Sequence, residues 1–575
     1  MHKQSYSRKC LLVLLVFVCT VQSWAAPLRP KRAPKAMVVS VHEAASQVGV
    51  DTMRRGGNAV DAAVATAFAL AVVHPQAGNI GGGGFLLLRT ADGKAHFIDF
   101  REKAPAKATA NMYLDEKGNV VEDMSTIGYK AIAVPGSVAG LAYAQKKYGK
   151  LPLAHVMQPA IKLARDGFVL AYEDTEDLKD KHLASFPESA RIFQRNGNYY
   201  KPGEIFRQPE LARTLERIAA NPDDFYRGTL AREIAAAVQS GGGLITAEDM
   251  AAYKVAEREP VRGSYRGLEI ISAPPPSSGG VALIESLNIL EGFDLRSMGN
   301  RSAQAMHLII EAFKRAFYDR AEFMGDPDFS SIPVAQLIDK RYGERWREAL
   351  HPKQSTPSRE LQRPKFENLD ISARADWRRE LREPEHTTHY SVVDPEGNAV
   401  AVTTTLNDSF GSRVTALGFL LNDEMDDFAA KQGVPNAYGL IQGPANAIGP
   451  GKRPLSAMTP TIVLRDGKLF LVLGSPGGPT IITTVANVLM GVVDFGMNIQ
   501  EAVNAPRFHH QWLPDEVRIE RVGISPDTLS LLEQMGHKFD RRSYWGDAEC
   551  IMIDPKTGER LGGSDGRNNG KAIGF

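Results

Sequence analysis

Cysteine is scarce in this chain, with only three among 575 residues. Cys10 and Cys19 lie in an N-terminal segment that we expect to be removed, so the remaining chain keeps only Cys550 and cannot form an internal disulfide. Stability must therefore come from packing. Cys550 begins an apolar run and is predicted to be a buried strand residue rather than a reactive thiol.

Net charge and long apolar runs are also nearly absent. The 68 basic and 67 acidic residues give a formal net charge of +1, so no global field would attract nucleic acid or an anionic membrane. After the N-terminal segment, no stretch approaches the length of about 20 apolar residues that spans a bilayer. The composition is that of an ordinary globular protein of enzyme size, and we expect a small-molecule substrate.

The first residues have the pattern of an export signal. Lys3, Arg8 and Lys9 precede an apolar run over residues 10–21, and small residues follow. The run is roughly half of the length of about 20 residues that crosses a bilayer, so we expect cleavage after Ala25 rather than a stable membrane anchor. The protein is then predicted to be periplasmic, or secreted if the cell has a single membrane.

Several local patterns predict secondary structure before the middle of the chain. Helices are expected over residues 42–55 and 61–73, the second rich in alanine and valine and therefore packed on several sides. The glycine-rich segment 78–85 precedes a strand, whereas a phosphate-binding loop would follow one. A hairpin formed by residues 85–89 and 96–101 would leave Arg101 at its end.

The region from about residue 113 to 368 is predicted to be mainly helical. Residues 274–280, PPPSSGG, interrupt it as a loop, either a structural turn or a wall of a site. From residue 352 to 386 the chain is charged and weakly apolar. This composition ends abruptly at Thr387, where β-type patterning begins, so a structural boundary is expected there.

A β-hairpin is predicted directly after this boundary. Residues 387–393 and 399–405 are strand-like, and DPEGN between them is a strong turn. If the turn is centred on Glu396, the numbers of paired residues sum to 792, which places Thr387 opposite Thr405. A threonine hydroxyl needs a base to become a nucleophile, and no catalytic arrangement of serine, histidine and aspartate is evident in the sequence. Breaking the peptide bond between His386 and Thr387 would supply such a base, because the free α-amino group of Thr387 would have a pKa of about 7.7 to 8.0.

Residues 387–411, TTHYSVVDPEGNAVAVTTTLNDSFG, closely resemble the start of the small subunit of gamma-glutamyltranspeptidases, an N-terminal-nucleophile family. The resemblance extends to residues 56–65, 78–85, 99–105, 274–280, 425–428, 454–458, 474–478 and 504–512. It implies an α/β fold, a four-layered αββα sandwich of the N-terminal-nucleophile hydrolase type built from two autocleaved subunits. The expected division is a signal peptide (1–25), a large subunit (26–386) and a small catalytic subunit (387–575), the two subunits forming one intertwined domain.

The resemblance also implies self-cleavage. The Thr387 hydroxyl would attack the carbonyl of His386, the peptide would become an ester, and water would separate the two subunits. Thr388 and Ser391 are rival nucleophiles, but Thr388 should point to the opposite face of the strand and Ser391 lies too far into it.

The resemblance assigns roles to further residues. Arg101 would grip the α-carboxylate of a gamma-glutamyl donor; its alternative is a structural ion pair with a local acid. Asn407, Glu424 and Asp427 would bind the α-ammonium, with Asn407 on the same strand face as Thr405 if the extended chain continues. Residues 422–427 also resemble a loose calcium loop, but they lack its glycine and distal glutamate, so no metal is predicted.

Ser456 matches one of two adjacent family serines that bind the donor carboxylate, whereas Ala457 replaces the other and should weaken donor binding. Gly477 and Gly478, after a hairpin of residues 459–473 and before a helix expected from Thr480, match the oxyanion-hole pair; a plain tight turn is the alternative. Tyr438 matches the tyrosine of a lid loop, and a tyrosine packed on the surface is the alternative. His509 and His510 resemble metal ligands in isolation, but adjacent histidines diverge on an extended chain, so we assign them structural roles.

The implied activity is that of a gamma-glutamyltransferase and glutathione hydrolase without a cofactor. It would pass gamma-glutamyl groups from glutathione and related compounds to water, amino acids or peptides. One alternative is a cephalosporin (glutaryl) acylase of the same fold, against which Asn407 and Asp427 argue because a glutaryl chain lacks the ammonium. The other is an uncleaved exported amino-acid or peptide-binding protein. Neither nucleic acid nor a membrane is an expected partner.

Overall fold

The computed structural model describes residues 28–366 and 387–575, except residues 432, 433, 435, 437 and 438. The predicted signal segment, His386 and Tyr438 lie outside the described residues. The strands, in chain order, are β1 (Lys31–Ala33), β2 (Met37–Ser40), β3 (Gly83–Arg89), β4 (Ala95–Asp99), β5 (Phe168–Val169), β6 (Ile205–Phe206), β7 (Ala256–Arg258), β8 (Val261–Tyr265), β9 (Leu268–Ser272), β10 (Thr388–Val393), β11 (Ala399–Thr405), β12 (Thr415–Ala416), β13 (Phe419–Leu420), β14 (Thr461–Arg465), β15 (Lys468–Leu473), β16 (Phe508–His509), β17 (Val517–Glu520), β18 (Phe539–Arg542), β19 (Cys550–Ile553), β20 (Arg560–Gly563) and β21 (Lys571–Gly574).

The helices fall mainly between β4 and β10, as the composition of that region predicted. The α-helices are Glu43–Arg54, Ala59–Val73, Ser137–Tyr148, Leu153–Asp166, Tyr172–Asp177, Pro187–Gln194, Pro209–Ala220, Asp224–Arg227, Thr229–Ser240, Ala247–Ala252, Gly279–Leu290, Leu295–Met298, Ala303–Phe323, Val334–Leu337, Lys340–Glu348, Thr480–Val493, Ile499–Asn504 and Pro526–Gln534. Among the described residues, no helix is both long and apolar enough to cross a membrane.

Two antiparallel sheets of seven strands each form the centre of the described chain. Their strand orders are β1-β20-β19-β15-β14-β9-β8 and β21-β2-β10-β11-β3-β4-β7. Alternate residues of β3 explain the layering: Phe85 and Leu87 pack with Ile462 of the facing sheet, whereas Leu86 and Leu88 pack on the other side with the helical residues. Helices cover both outer faces, so the predicted αββα sandwich is confirmed.

The helix Ala59–Val73 shows why this outer layer packs closely. All of its residues are buried, because small alanine side chains allow neighbouring elements to approach on every side. The Asn58 side chain caps the first turn of this helix, and the Asn58 N–H donates in turn to the Asp61 carboxylate. The prediction of a helix packed on several sides is confirmed.

The β10–β11 hairpin lies in the middle of its sheet, between β2 and β3. Thr388 pairs with Thr404 and Val393 pairs with Ala399, which is the predicted register. The turn uses Gly397 at φ 90°, a conformation that suits glycine. The hairpin therefore delivers Thr387 to the open end of a central strand pair.

The prediction for Cys550 is confirmed, whereas the prediction of a mainly helical middle region is incomplete. Cys550 is buried at the start of β19, and burial raises the pKa of its thiol to about 12, so it has the predicted structural role. The mainly helical region also contains β7, β8 and β9, which join the sheets. These short strands were missed because they lie among long helical segments.

Candidate active site

Thr387 and Thr405 meet at the open end of the hairpin. Their hydroxyl oxygens are 3.3 Å apart, and the side chains are almost completely buried. The Asn407 N–H also donates to the Thr405 oxygen over 2.9 Å. The predicted register thus brings the two hydroxyls together and holds the Thr405 oxygen in place.

The two rival hydroxyls have other surroundings. Ser391 donates to the carbonyl of Glu549 over 2.7 Å and lies 3.2 Å from the His389 ring. Burial lowers the pKa of His389 to about 3, so this ring is neutral at physiological pH. The buried Thr388 hydroxyl has no hydrogen-bond partner among the described residues. Neither Ser391 nor Thr388 lines the cavity next to Thr387.

A small cavity of about 20 Å³ joins most of the predicted site residues. We refer to it as the donor cavity. Its walls combine the predicted residues Arg101, Thr387, Thr405, Asn407, Glu424, Asp427, Ser456 and Gly478 with the further residues Arg320, Leu440, Ala457, Met458, Pro479 and Ile481. A volume of this size holds about one water molecule.

Arg101 lies just beyond β4 and is fully buried. Its guanidinium pairs with Glu424 at 2.5 Å, with Asp427, and more distantly with Glu102 at 3.7 Å. It also donates to the carbonyl oxygens of Pro454 and Leu455, both over 3.2 Å. Burial opposes its charge, but the three carboxylates outweigh burial and raise its pKa. The predicted ligand-binding arginine is therefore also a structural ion-pair partner.

The carboxyls around Arg101 outnumber its single positive charge. Burial raises the pKa of Glu102 to about 7 and that of Glu424 well above its usual range, although Arg101 opposes both shifts. Without a ligand, burial therefore holds these two carboxyls partly in their neutral, protonated form beside the ion pair of Arg101 and Asp427. Such a site favours a ligand that brings a positive group.

Asn407 reaches the cavity by a route that differs from our expectation. The extended chain does not continue beyond Thr405: β11 ends there, and Asn407 has φ 82°. Its side-chain amide donates to the Asp423 carbonyl and carboxylate, both over 3.2 Å. The prediction that extension places Asn407 is wrong; a left-handed bend held by Asp423 places it instead.

Gly477 and Gly478 form the turn between β15 and the helix Thr480–Val493. Their φ angles are 129° and 50°, which favour glycine. Their carbonyl oxygens accept the N–H groups of Thr480 and Ile481. Within the described residues, neither glycine N–H donates a backbone hydrogen bond, so both donors remain available. Gly478 lines the donor cavity together with Thr387, whereas Gly477 is not among its wall residues.

The comparisons with known proteins agree with this geometry. The family model described as gamma-glutamyltranspeptidase matches residues 45–575. The chain belongs to the gamma-glutamyltranspeptidase family. It is 51% identical to the glutathione hydrolase proenzyme of Escherichia coli (strain K12) over 545 residues, which cover 94% of this chain and 91% of the relative.

Solved structures of two related proteins have the same fold. Helicobacter pylori gamma-glutamyltranspeptidase superposes with a TM-score of 0.58 at 43% identity, covering 60% of this chain and 100% of that chain. A cephalosporin acylase from Bacillus halodurans superposes with a TM-score of 0.80 at 28% identity, covering 96% and 98%. The gamma-glutamyltranspeptidase and acylase types thus share one architecture, and site chemistry must distinguish them.

Ser456 and Ala457 occupy adjacent positions in the cavity wall of this family member. The Ser456 hydroxyl accepts the N–H of Met458 over 3.1 Å, and its carbonyl accepts both the N–H and the hydroxyl of Ser278. The predicted loop at residues 274–280 therefore supports the cavity wall from behind. Ala457 contributes only a methyl group, so one hydroxyl is missing from the cavity.

Arg320 is a cavity residue that sequence reasoning missed. It lies on the helix Ala303–Phe323 and is 3% exposed. Its Nε donates to Ser278 over 2.8 Å, but Nη1 has no hydrogen-bond partner among the described residues. Burial lowers its pKa to about 10 despite the charge of Asp427. No local motif marked it, because an arginine on an amphipathic helix is usually exposed.

The two adjacent histidines, His509 and His510, contact polar side chains of the protein itself. His509 lies between Thr483 at 2.9 Å and Gln511 at 2.8 Å, and His510 lies 3.3 Å from Asp515. Burial lowers the pKa of both rings. In the part of the chain that the structure describes, no group of three metal-binding side chains is found. The two histidines contribute to packing, as predicted.

Proposed function

We propose that the protein is an autoprocessed gamma-glutamyltranspeptidase and glutathione hydrolase. It transfers gamma-glutamyl groups from glutathione and related compounds to water, amino acids or peptides. The observation that carries the proposal is the Thr387 hydroxyl, which lies 3.3 Å from the Thr405 hydroxyl in a cavity whose wall contains two arginines, Arg101 and Arg320, and two acids, Glu424 and Asp427. None of the proposed steps calls for a metal or an organic cofactor.

Maturation is the first step. After export and removal of residues 1–25, the Thr387 hydroxyl attacks the carbonyl carbon of His386 and converts the peptide into an ester. Water hydrolyses the ester, which leaves a large subunit (26–386) and a small subunit (387–575). The new α-amino group of Thr387 then acts as the base for its own hydroxyl.

Donor binding uses the two charged ends of the glutamyl group. Arg101 and Ser456 hold the α-carboxylate, and the unpartnered Nη1 of Arg320 adds a third donor to it. Asp427, Glu424 and Asn407 hold the α-ammonium. Arg101 exchanges part of its pairing with the acids for the incoming carboxylate, while the ammonium compensates those acids.

Acyl transfer takes place at Thr387. Its hydroxyl attacks the γ-amide, and the N–H groups of Gly477 and Gly478 stabilise the oxyanion; losing one such donor typically costs about a hundred- to a thousand-fold in rate. The amine leaves, and the threonyl ester passes to water or to an acceptor amine. Tyr438 is proposed to belong to the lid that covers the donor.

Charge favours this donor over a glutaryl chain. A cephalosporin acylase of the same fold needs no counter-charge for an ammonium group, whereas this cavity has Asp427 and Glu424 beside Arg101. A binding protein that stays uncut would not need a hydroxyl at the start of a strand with two free N–H groups nearby. The acylase and the uncut binding protein are therefore the two alternative functions that the experiment must distinguish.

The decisive test is intact mass and N-terminal sequencing of purified protein, with turnover of a gamma-glutamyl anilide and a glutaryl anilide on the same sample. Two fragments, one beginning at Thr387, with gamma-glutamyl turnover are expected. Preference for the glutaryl compound would favour the acylase. A single uncut and inactive chain after proper export would overturn the proposal and favour the binding protein.

A further inference from the structure

A cavity of about 910 Å³ lies among helices of the region before Thr387. It is bounded by the helix Ser137–Tyr148, the start of the helix Leu153–Asp166, the helix Asp224–Arg227 and residues 253–255. We refer to it as the interhelical cavity. It shares no wall residue with the donor cavity. Small-molecule sites usually have volumes of about 300 to 1,000 Å³, so this cavity has room for an organic ligand.

One part of the wall is apolar and held in place by hydrogen bonds. Tyr226 and Tyr253 are buried there, and their rings stack with centroids 5.6 Å apart. The Tyr253 hydroxyl donates to the Arg101 carbonyl over 2.9 Å, and the Tyr226 hydroxyl donates to the Pro135 carbonyl over 3.1 Å. The other apolar side chains of the wall are half-buried and include Ala142, Tyr143, Leu151, Leu153, Ala219 and Val255. A ring system or an acyl chain could cover this surface and remove it from water.

Basic side chains outnumber acidic ones in the wall. The basic residues are Lys146, Lys150, Arg227 and Lys254, and the acid is Asp223. Arg227 pairs with Asp223 at 3.3 Å, and Lys150 pairs at 3.3 Å with Glu396, which lies outside the wall. Lys146 and Lys254 are exposed, and neither forms an ion pair within the described part of the chain. Two positive charges of the wall are therefore left for a ligand to balance.

The start of the helix Leu153–Asp166 adds hydrogen-bond donors to the same wall. Its N-cap residue, Pro152, makes no side-chain hydrogen bond to the first turn. Leu153 and Ala154 lie in the wall, and their N–H groups donate no hydrogen bond within the described residues. The first turn of a helix carries partial positive charge, so it acts in the same direction as the two lysines. Both features favour a ligand with an anionic group.

Gln145 points independently to a ligand that brings a hydrogen-bond donor. It belongs to the wall and is 3% exposed. Its Nε2 donates to the Asp61 carboxylate over 2.5 Å and to the Leu151 carbonyl over 2.6 Å, which fixes the orientation of the amide. Its Oε1 has no hydrogen-bond partner among the described residues. A buried amide oxygen without a donor is costly, and an N–H or O–H group of a ligand would satisfy it.

We propose that the interhelical cavity binds an amphipathic organic anion, an apolar ring system or acyl chain that carries one acidic group and an N–H or O–H donor. The apolar body covers the tyrosine side of the cavity. Lys146, Lys254 and the free N–H groups of the helix start attract the acidic group, and the donor faces Gln145. This site is separate from gamma-glutamyl transfer, because none of its wall residues lines the donor cavity.

The test measures the binding of two fluorescent probes that differ in one group. Anilinonaphthalene sulfonate has an apolar ring system, an N–H and a sulfonate, whereas phenylnaphthylamine lacks the sulfonate. We expect wild type to bind the sulfonate probe at one site per chain. Replacing Lys146 and Lys254 together by Gln should raise its Kd about three- to tenfold, the effect of losing two exposed charge pairs, and leave the Kd of the neutral probe unchanged. The matched control replaces Lys162 and Lys181 by Gln, two exposed lysines outside the wall, and should change neither Kd.

Ala142→Trp provides a second variant, because a large side chain at this half-buried position would fill the apolar part of the cavity. It should raise the Kd of both probes about tenfold or more, with thermal unfolding and turnover of a gamma-glutamyl anilide measured alongside to show that the fold is kept. The proposal is overturned if wild type does not bind the sulfonate probe, if the control pair weakens its binding as much as the Lys146 and Lys254 pair does, or if a folded Ala142→Trp protein binds both probes as wild type does. Absence of anilide turnover in wild type would remove the proposed function alone, since probe binding does not depend on it.

Discussion

The hydroxyl oxygens of Thr387 and Thr405 lie 3.3 Å apart, although 18 residues separate them along the chain. Thr405→Val keeps the shape of the side chain and removes its hydroxyl. We expect self-cleavage and turnover to slow by about two- to tenfold, the usual effect of one neutral hydrogen bond. A time course of fragment appearance on a denaturing gel measures the first rate, and anilide turnover the second.

Thr387→Ala removes the proposed nucleophile itself. The chain is expected to stay intact and to lack turnover, because the other hydroxyl residues that line the donor cavity in the described part of the chain, Thr405 and Ser456, do not follow the bond that is expected to be cut. Thr388→Val is the matched control: its hydroxyl has no partner among the described residues, so this variant should be cut normally. Cleavage of Thr387→Ala at the same bond would assign the nucleophile to another group.

Ala457→Ser returns a hydroxyl to the wall of the donor cavity. We expect the donor KM to fall by about two- to tenfold, because the added O–H can donate to the substrate carboxylate. Ala457→Gly changes the volume without adding a donor and should not tighten binding. An unchanged KM in the serine variant would mean that the carboxylate lies elsewhere.

Arg320→Met separates ligand binding from stability. The donor KM should rise roughly ten- to a hundredfold if Nη1 binds the carboxylate, the range for a hydrogen bond to a charged group. The melting temperature should stay nearly unchanged, since a buried guanidinium with an unpartnered nitrogen contributes little to folding. Arg320→Lys keeps the charge and should show a smaller rise. A large loss of melting temperature with an unchanged KM would make Arg320 a structural residue.

Because of Glu311, we expect the protein to lose stability at acidic pH. Burial opposes its ionisation, but Lys314 at 3.0 Å and Arg315 at 2.7 Å outweigh burial and lower its pKa to about 2. A folded-state pKa below the unfolded value means that its contribution is complete above about pH 4.5 and is lost as the pH falls towards 2. The contribution is roughly 3 kcal/mol of unfolding free energy.

Chemical denaturation of wild type and Glu311→Gln between pH 2 and pH 7 measures this contribution. The difference between their unfolding free energies should shrink as the pH falls through this window. Comparing the two proteins is necessary, because burial raises the pKa of Glu285 and Glu424, which act in the opposite direction. A difference that stays constant with pH would contradict the prediction.

The parts of the fold that depend on local pattern were predictable. The turn around Glu396 fixes the register of β10 and β11, because side chains alternate along each strand and the turn sets their pairing. The helix beginning at Thr480 follows from the glycine pair before it. Most of the residues that the resemblance assigned to the site line the donor cavity together, but Gly477 does not, and Tyr438 lies outside the described residues. Their roles stay predictions.

Features that depend on tertiary contacts were not predictable. The path to Asn407 includes a left-handed bend that Asp423 stabilises from another loop. Arg320 enters the donor cavity from a helix more than 60 residues before the hairpin. No spacing in the sequence encodes such proximities.

The order of strands has a consequence for the proposed mature protein. In the sheet β21-β2-β10-β11-β3-β4-β7, strands from before and after Thr387 interleave, and in the other sheet β1 and β9 flank four strands from the later part. Pulling the two pieces apart would expose the same apolar layers as complete denaturation. Their association would therefore have no equilibrium constant separate from folding, and dilution alone would not release either piece. Thermodynamically, the cut protein would behave as a nicked monomer.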